Sequence, residues 1–206
     1  MSGIDFTEPF ADKKVGIIYG EFTTQGGAEI LNAQMARQLD APIYTRVYRP
    51  DRFGDRMIDI LSEYIVLLDN SKDSLSQDAD VQVGGLGLGP GPPGYRAAGV
   101  LSTNDKLVKD VDTSGIQTDV LIAGDADGAA MAYQSDIPYM MYVHHSGKPL
   151  VDFFWDHFDA KTRIIDKLKF LRERRRVKKD LHNVAKRSDM LLYNSEGTAN
   201  ICNKQW

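Results

Sequence analysis

Val15-Gly-Ile-Ile-Tyr19, then Gly20-Glu-Phe-Thr-Thr-Gln25, then Gly26-Gly27-Ala28-Glu29, then Ile30 to Leu39: this stretch decides the fold. Val15 to Tyr19 is a short apolar run rich in β-branched residues, the signature of a buried strand. Gly20 to Gln25 is polar and turn-prone. The glycine pair lets the backbone bend and lets another group come close. Beyond it Ile30, Leu31, Met35 and Leu39 recur at helical spacing, with Asn32, Gln34, Arg37 and Gln38 between them. The order is strand, loop, glycine pair, helix. A helix that opens behind glycines presents free N–H groups and a positive dipole end, which suits a phosphate, although the same arrangement serves as a plain turn in many α/β domains. The spacing is not the Gly-x-Gly-x-x-Gly of dinucleotide binding.

Working outward, the same alternation returns. Pro42 to Tyr48 is a second strand candidate, and Met57 to Leu68 reads as a helix running into a strand. Asp119 to Ala123 is a strand ending at Gly124-Asp125-Ala-Asp127-Gly128, with a helix over Ala129 to Tyr133. Ile137 to Val143 is a strand that runs into His144-His145-Ser-Gly-Lys148. Phe158 to Lys186 reads as one long helix with Ile164, Leu168, Leu171, Leu181 and Val184 along one stripe. Met190 to Tyr193 is a last strand, followed by Asn194-Ser195-Glu196 and a helix from Thr198. Strands alternating with helices predict an α/β, Rossmann-like parallel sheet with helices on both faces. In such sheets ligands bind beyond the carboxyl ends of the strands. Gly26-Gly27, Asp125, His144 and Asn194-Ser195 each follow a different strand. Their shared placement says more than any one motif.

Residues 84–94 read Gly-Gly-Leu-Gly-Leu-Gly-Pro-Gly-Pro-Pro-Gly, and Gly89, Gly91 and Gly94 formally satisfy the dinucleotide spacing. Pro90, Pro92 and Pro93 remove the N–H donors a phosphate needs, so the segment is expected to be a surface loop, with a lid over a cleft as the functional alternative.

Composition sets the bounds. The 206 residues suffice for one sizeable domain, here 13–206, behind a loose leader over 1–12. A net charge of −4 makes no case for nucleic acid as a partner. Cys202 is the single cysteine, so no disulfide forms within the chain, which fits a reducing, cytoplasmic compartment; it is expected to be a small buried residue. Met1 to Lys14 is polar and acidic, unlike a signal peptide, and no run approaches the roughly 20 apolar residues of a membrane span. Asp125 and Asp127 suggest helix capping rather than a metal, and no metal site is expected. His157 and His182 are expected at the surface.

One stretch departs from the average. Residues 161–179 hold ten Lys or Arg against two carboxylates, a local charge of +8 in a chain of net −4. Arg174, Arg175 and Arg176 lie at its centre. A basic amphipathic helix of this kind can rest on an anionic membrane, which would place the protein at the inner face of a membrane; the plainer reading is a solvated helix face. Nucleic acid fits less well, because no aromatic platform interleaves the charges.

Taken together, Gly26-Gly27-Ala28-Glu29 after the first strand, Ile137-Pro-x-x-x-Tyr142-Val143-His144, and Asp180, Asp189, Asn194, Ser195 and Glu196 resemble the amino-terminal half of the family 4 retaining glycosyltransferases, whose two Rossmann-like domains face each other (the GT-B type). The resemblance runs from about Val15 to Trp206. It implies transfer of a sugar from a nucleotide-sugar donor, which acts as co-substrate with no other cofactor, to a glycan or lipid-linked acceptor. It implies that Gly26, Gly27, Glu29, Asn194 and Ser195 lie near the donor diphosphate and sugar, that His144 is the catalytic residue beside the transferred sugar, and that Asp125, His145 and Lys148 face the acceptor. Lys148 stands where the family often has arginine and lacks that residue's planar fork. The family's carboxy-terminal nucleotide-binding domain is not in this sequence. The chain alone is therefore expected not to catalyse transfer, and a downstream domain or a second polypeptide is expected to supply the nucleotide site. The alternative is a non-catalytic carbohydrate- or phosphate-binding module, or a membrane-peripheral one, that kept the fold.

Overall fold

The computed structural model describes residues 12–68, 107–108, 110–144 and 164–205. The leader up to residue 11, the glycine–proline segment 84–94, His145, Lys148 and His157 lie outside them. The elements run β1 (Val15–Ile18), β2 (Glu21–Phe22), α1 (Gly27–Leu39), β3 (Ile43–Thr45), β4 (Val47–Tyr48), a 3₁₀ turn (Pro50–Arg52), α2 (Asp55–Tyr64), β5 (Ile65–Leu67), β6 (Val120–Ala123), α3 (Ala126–Ser135), β7 (Tyr139–Val143), α4 (Ile164–Arg187), β8 (Met190–Tyr193) and α5 (Glu196–Gln205).

Six strands form one parallel sheet in the order β5-β3-β1-β6-β7-β8. The order runs outward in both directions from the β1–β6 pair, where Val15, Gly16, Ile17 and Ile18 register with Val120, Leu121, Ile122 and Ala123. This is the Rossmann-like α/β architecture, with the switch point between β1 and β6. Because strand side chains alternate, β1 feeds two cores. Ile17 joins Phe22, Ala33, Ala36, Ile43, Phe53, Met57 and Leu61 beneath α1 and α2. Ile18 joins Leu121, Ala123, Met131, Tyr139, Met141 and Leu181 beneath α3 and α4.

Several boundaries differ from the sequence reading, each for a physical reason. The run Pro42 to Tyr48 is two strands rather than one. Thr45 ends β3, and Arg46 turns the chain so that β4 pairs in parallel with β2 in a separate small sheet. Helix α1 begins at Gly27, not Ile30. It buries its small residues Ala33 and Ala36 together with Asn32, while Ile30 reaches solvent, so the helix packs closely on the sheet through a stripe that apolar periodicity does not mark. On α4, Ile164 and Leu168 are 77% and 57% exposed and do not share the stripe of Leu171, Leu181 and Val184. Cys202 is buried, as expected, against the α3–α4 core. At the edge, Met190 and Leu192 of β8 stand exposed on the α1–α2 side of the sheet.

Candidate functional site

The loops after β1, β3, β6, β7 and β8 all open on the carboxyl edge of the sheet, so the topology gathers the polar residues there. At the switch point three glycines permit close packing. An added Cβ at Gly128 would run into the Ile18 carbonyl oxygen, one at Gly124 into the Asn32 amide, and one at Gly20 would lie 2.7 Å from the Asp127 Cβ. The two strand–loop–helix units thus interlock directly beneath the candidate site.

Asp125 is the N-cap of α3. Its Oδ1 accepts the Gly128 N–H at 2.6 Å and, across the switch point, the Gly20 N–H at 3.1 Å. Asp127 Oδ1 accepts the Val108 N–H at 3.1 Å. The capping role given to these carboxylates by the sequence is therefore present for Asp125, which also ties α3 to the loop leaving β1. Among the described residues no group of three or more His, Cys, Asp or Glu side chains converges as a metal site would require.

At the start of α1, Gly26 is extended, with φ −117° and ψ −178°, a conformation open to any residue. Its smallness serves space instead: a Cβ there would lie 2.7 Å from Glu29 Oε2. That carboxylate accepts the Gly26 N–H at 3.0 Å, the reach-back half of a capping box, and takes the Tyr19 hydroxyl at 3.0 Å on its other oxygen. No side chain caps the helix from Gly26, and a Cβ on Gly27 would meet nothing within 4 Å. Gly27 therefore faces open space at the positive end of a 13-residue helix. Glu29 is turned inward. Burial first, then the negative charges of Asp125 and Glu29, the Glu29 hydrogen bond and Asp127, raise the Tyr19 pKa far above the usual phenolic range.

His144 ends β7. Its ring meets Tyr142 edge-on, with centroids 4.6 Å apart, and its Nε2 is shielded from solvent. Its carbonyl accepts the Asn194 side-chain N–H at 2.7 Å, which ties the end of β8 to the end of β7. Asn194 Oδ1 takes the Thr198 hydroxyl at 2.7 Å, and Ser195 Oγ accepts the Thr198 N–H at 3.1 Å at the start of α5. Asn194 and Ser195 thus brace the edge and cap a helix. Gly26, Gly27, Glu29, Asp125, His144, Asn194 and Ser195 all stand at one edge. Arg174 to Arg176 are on α4; Arg174 is half-buried with its Nε shielded, whereas Arg175 and Arg176 are exposed.

Sequence reasoning passed over Tyr19 and Asn32. Asn32 is fully buried, donates its amide to the Ala28 carbonyl at 2.8 Å, and lies against Gly124. Its sequence signal was a polar residue one step from the buried Ala33, easily assigned to the solvent face. Tyr19 was read as the last strand residue, and nothing in the spacing ties it to Glu29 ten positions later. No protein-family model, curated protein or solved structure matches this chain.

Proposed function

We propose that this chain is the acceptor-side half of a retaining glycosyltransferase that takes its sugar from a nucleotide-sugar and passes it to a glycan or lipid-linked acceptor. One observation carries the reading: the open glycine turn at Gly26-Gly27 and the imidazole of His144 stand at the same carboxyl edge of one parallel sheet, on either side of its switch point. In the reaction the bond from the anomeric carbon to the diphosphate oxygen breaks. The acceptor oxygen bonds to the same face of that carbon, and its proton leaves with the diphosphate. The N–H groups at the start of α1 and the helix dipole would stabilise the charge on the departing diphosphate. An imidazole in its neutral form can hydrogen-bond sugar hydroxyls, and this is the role proposed for His144. A further domain or second polypeptide supplies the nucleotide site. The lone, buried Cys202 fits a cytoplasmic setting.

A second reading, a binding module without turnover, is favoured by the internal hydrogen bonds of Glu29, Asp125, Asn194 and Ser195. Both readings meet the same test. The native polypeptide or complex that carries this chain is assayed with a panel of nucleoside-diphosphate sugars. His144→Ala is expected to lower kcat on the order of a hundredfold or more with an unchanged melting curve. Gly27→Val, whose side chain enters open space, is expected to fold normally and to block donor use. Near-normal turnover in His144→Ala, or unchanged donor KM and kcat in Gly27→Val, overturns the assigned roles. Sugar binding with no transfer under any combination selects the module.

A further inference from the structure

Helix α4 has 24 residues and so is about 36 Å long, while β7 and β8, which it joins, have 5 and 4 residues and span roughly 17 Å or less. The far end of the helix is fixed at the amino edge of the sheet: the Tyr139 hydroxyl bonds the Val184 carbonyl, and the Asp189 N–H bonds the Tyr139 carbonyl at 2.9 Å. Among the residues of the helix whose burial is described, the buried ones, Val177, Leu181, Val184 and Ala185, all lie in its second half. The excess length therefore falls at the start, and the first turns of α4 overhang the carboxyl edge, the edge where Gly27 and His144 lie.

The outward face of this helix is a continuous row. Ile164, Leu168, Arg172, Arg175, Lys179 and Lys186 follow one another at steps of three, four or seven, and all are exposed. Arg176 flanks the row. The carboxylates Glu173 and Asp180 are half-buried on the side nearer the sheet, so among the described side chains the outward row carries cations and no acid. The cations are not simply the helix's general surplus: Arg187, at the inner end, bonds Asp136 at 2.9 Å and lies 5.2 Å from the centre of the Tyr133 ring, and is used within the fold.

We propose that this row is a membrane-docking surface that binds an anionic lipid bilayer, with Ile164 and Leu168 entering the headgroup–acyl boundary and Arg172, Arg175, Arg176 and Lys179 pairing with the headgroups. An anionic polymer or acidic protein would satisfy the cations, but it would leave the large apolar side chains of Ile164 and Leu168 in water. A bilayer buries them and neutralises the cations together. The surface does not depend on the sugar-transfer reading.

Sedimentation of the full chain with vesicles tests this. Binding is expected to vesicles that mix phosphatidylcholine with phosphatidylglycerol, and not to phosphatidylcholine alone, and it is expected to weaken as salt rises. The triple variant Arg172→Gln/Arg175→Gln/Lys179→Gln should lose on the order of a hundredfold in partitioning. Leu168→Ser should lose several-fold, and a control pair on another face, Arg37→Gln/Arg56→Gln, should bind as the parent does. All the substituted side chains are exposed, and matching melting curves establish that the variants fold. Equal binding to neutral vesicles, undiminished binding of the triple variant, or binding of a mixed-sequence oligonucleotide without binding of anionic vesicles each overturns the proposal.

Discussion

The two helices that flank the switch point begin in opposite ways. Helix α3 starts on Asp125, whose carboxylate fills the helix end and also holds the Gly20 N–H of the neighbouring unit. Helix α1 starts on Gly26, with no side-chain cap and with Gly27 facing open space. The first positive end is already neutralised from within the chain. The second has its carboxylate, Glu29, one turn in and bonded to Gly26 and Tyr19. Of two similar strand–loop–helix units, one serves as structure and the other is left accessible.

The sharpest way to break this comparison is to make the same substitution at both helix starts. Gly128→Ala forces a methyl group against the Ile18 carbonyl and should destabilise the fold by about 3 kcal/mol in urea unfolding. If it is tolerated, the two units do not interlock as described.

A second test uses pH. Tyr139, in the α3–α4 half, has its pKa raised to about 12, mainly by burial, and Tyr19 is raised further. A tyrosine held protonated by the fold contributes its full stability below its unfolded pKa of about 10, and that contribution is lost as pH rises beyond it. Each tyrosine should thus remove about 1.4 kcal/mol per pH unit above pH 10. The loss from Tyr139 ends near pH 12, while that from Tyr19 continues. Urea unfolding at stepped alkaline pH should show the slope between pH 10 and 12 reduced by about 1.4 kcal/mol per pH unit in Tyr19→Phe; an unchanged slope refutes the burial of the Tyr19 hydroxyl beside Glu29.

Asp125→Ala removes the cap from α3 and a bond to the loop of β1 and should cost about 1–2 kcal/mol. Smallest of all, and opposite in sign to the first, Gly27→Ala should stabilise by roughly 0.5 kcal/mol, since its methyl group meets nothing and alanine favours the helix. A loss there would show that the space at the start of α1 is not open.

The sheet was legible because its strands are short apolar runs set between helical periods, and a chain that alternates in this way has few layered solutions. The gathering of Gly27, Asp125, His144 and Asn194 at one edge follows from that alternation alone. Other features were hidden by residue type. Asn32 looks like a solvent-facing amide until the close packing of Ala33 and Ala36 brings it against Gly124. Arg46 breaks a run that is β-prone throughout, and no local signal marks the turn; the pairing of β4 with β2 is a tertiary choice. Asn194 and Ser195 attracted a ligand-binding role because they follow a strand, yet their bonds to His144 and Thr198 are those of a strand bridge and a helix cap.

The β1–β6 pairing joins strands about a hundred positions apart, whereas every other pairing of the main sheet among the described residues stays within Val15–Leu67 or within Val120–Tyr193. The molecule is thus two sequence-local βαβαβ pieces zipped along a single four-residue seam, with Asp125 and Gly128 as the catch. A chain severed between Leu68 and Leu107 would keep every described strand pairing except β1–β6 within one fragment or the other, and reassembly of the two fragments would have to be won at that seam and in the two cores that Ile18, Tyr44 and Ile122 carry across it.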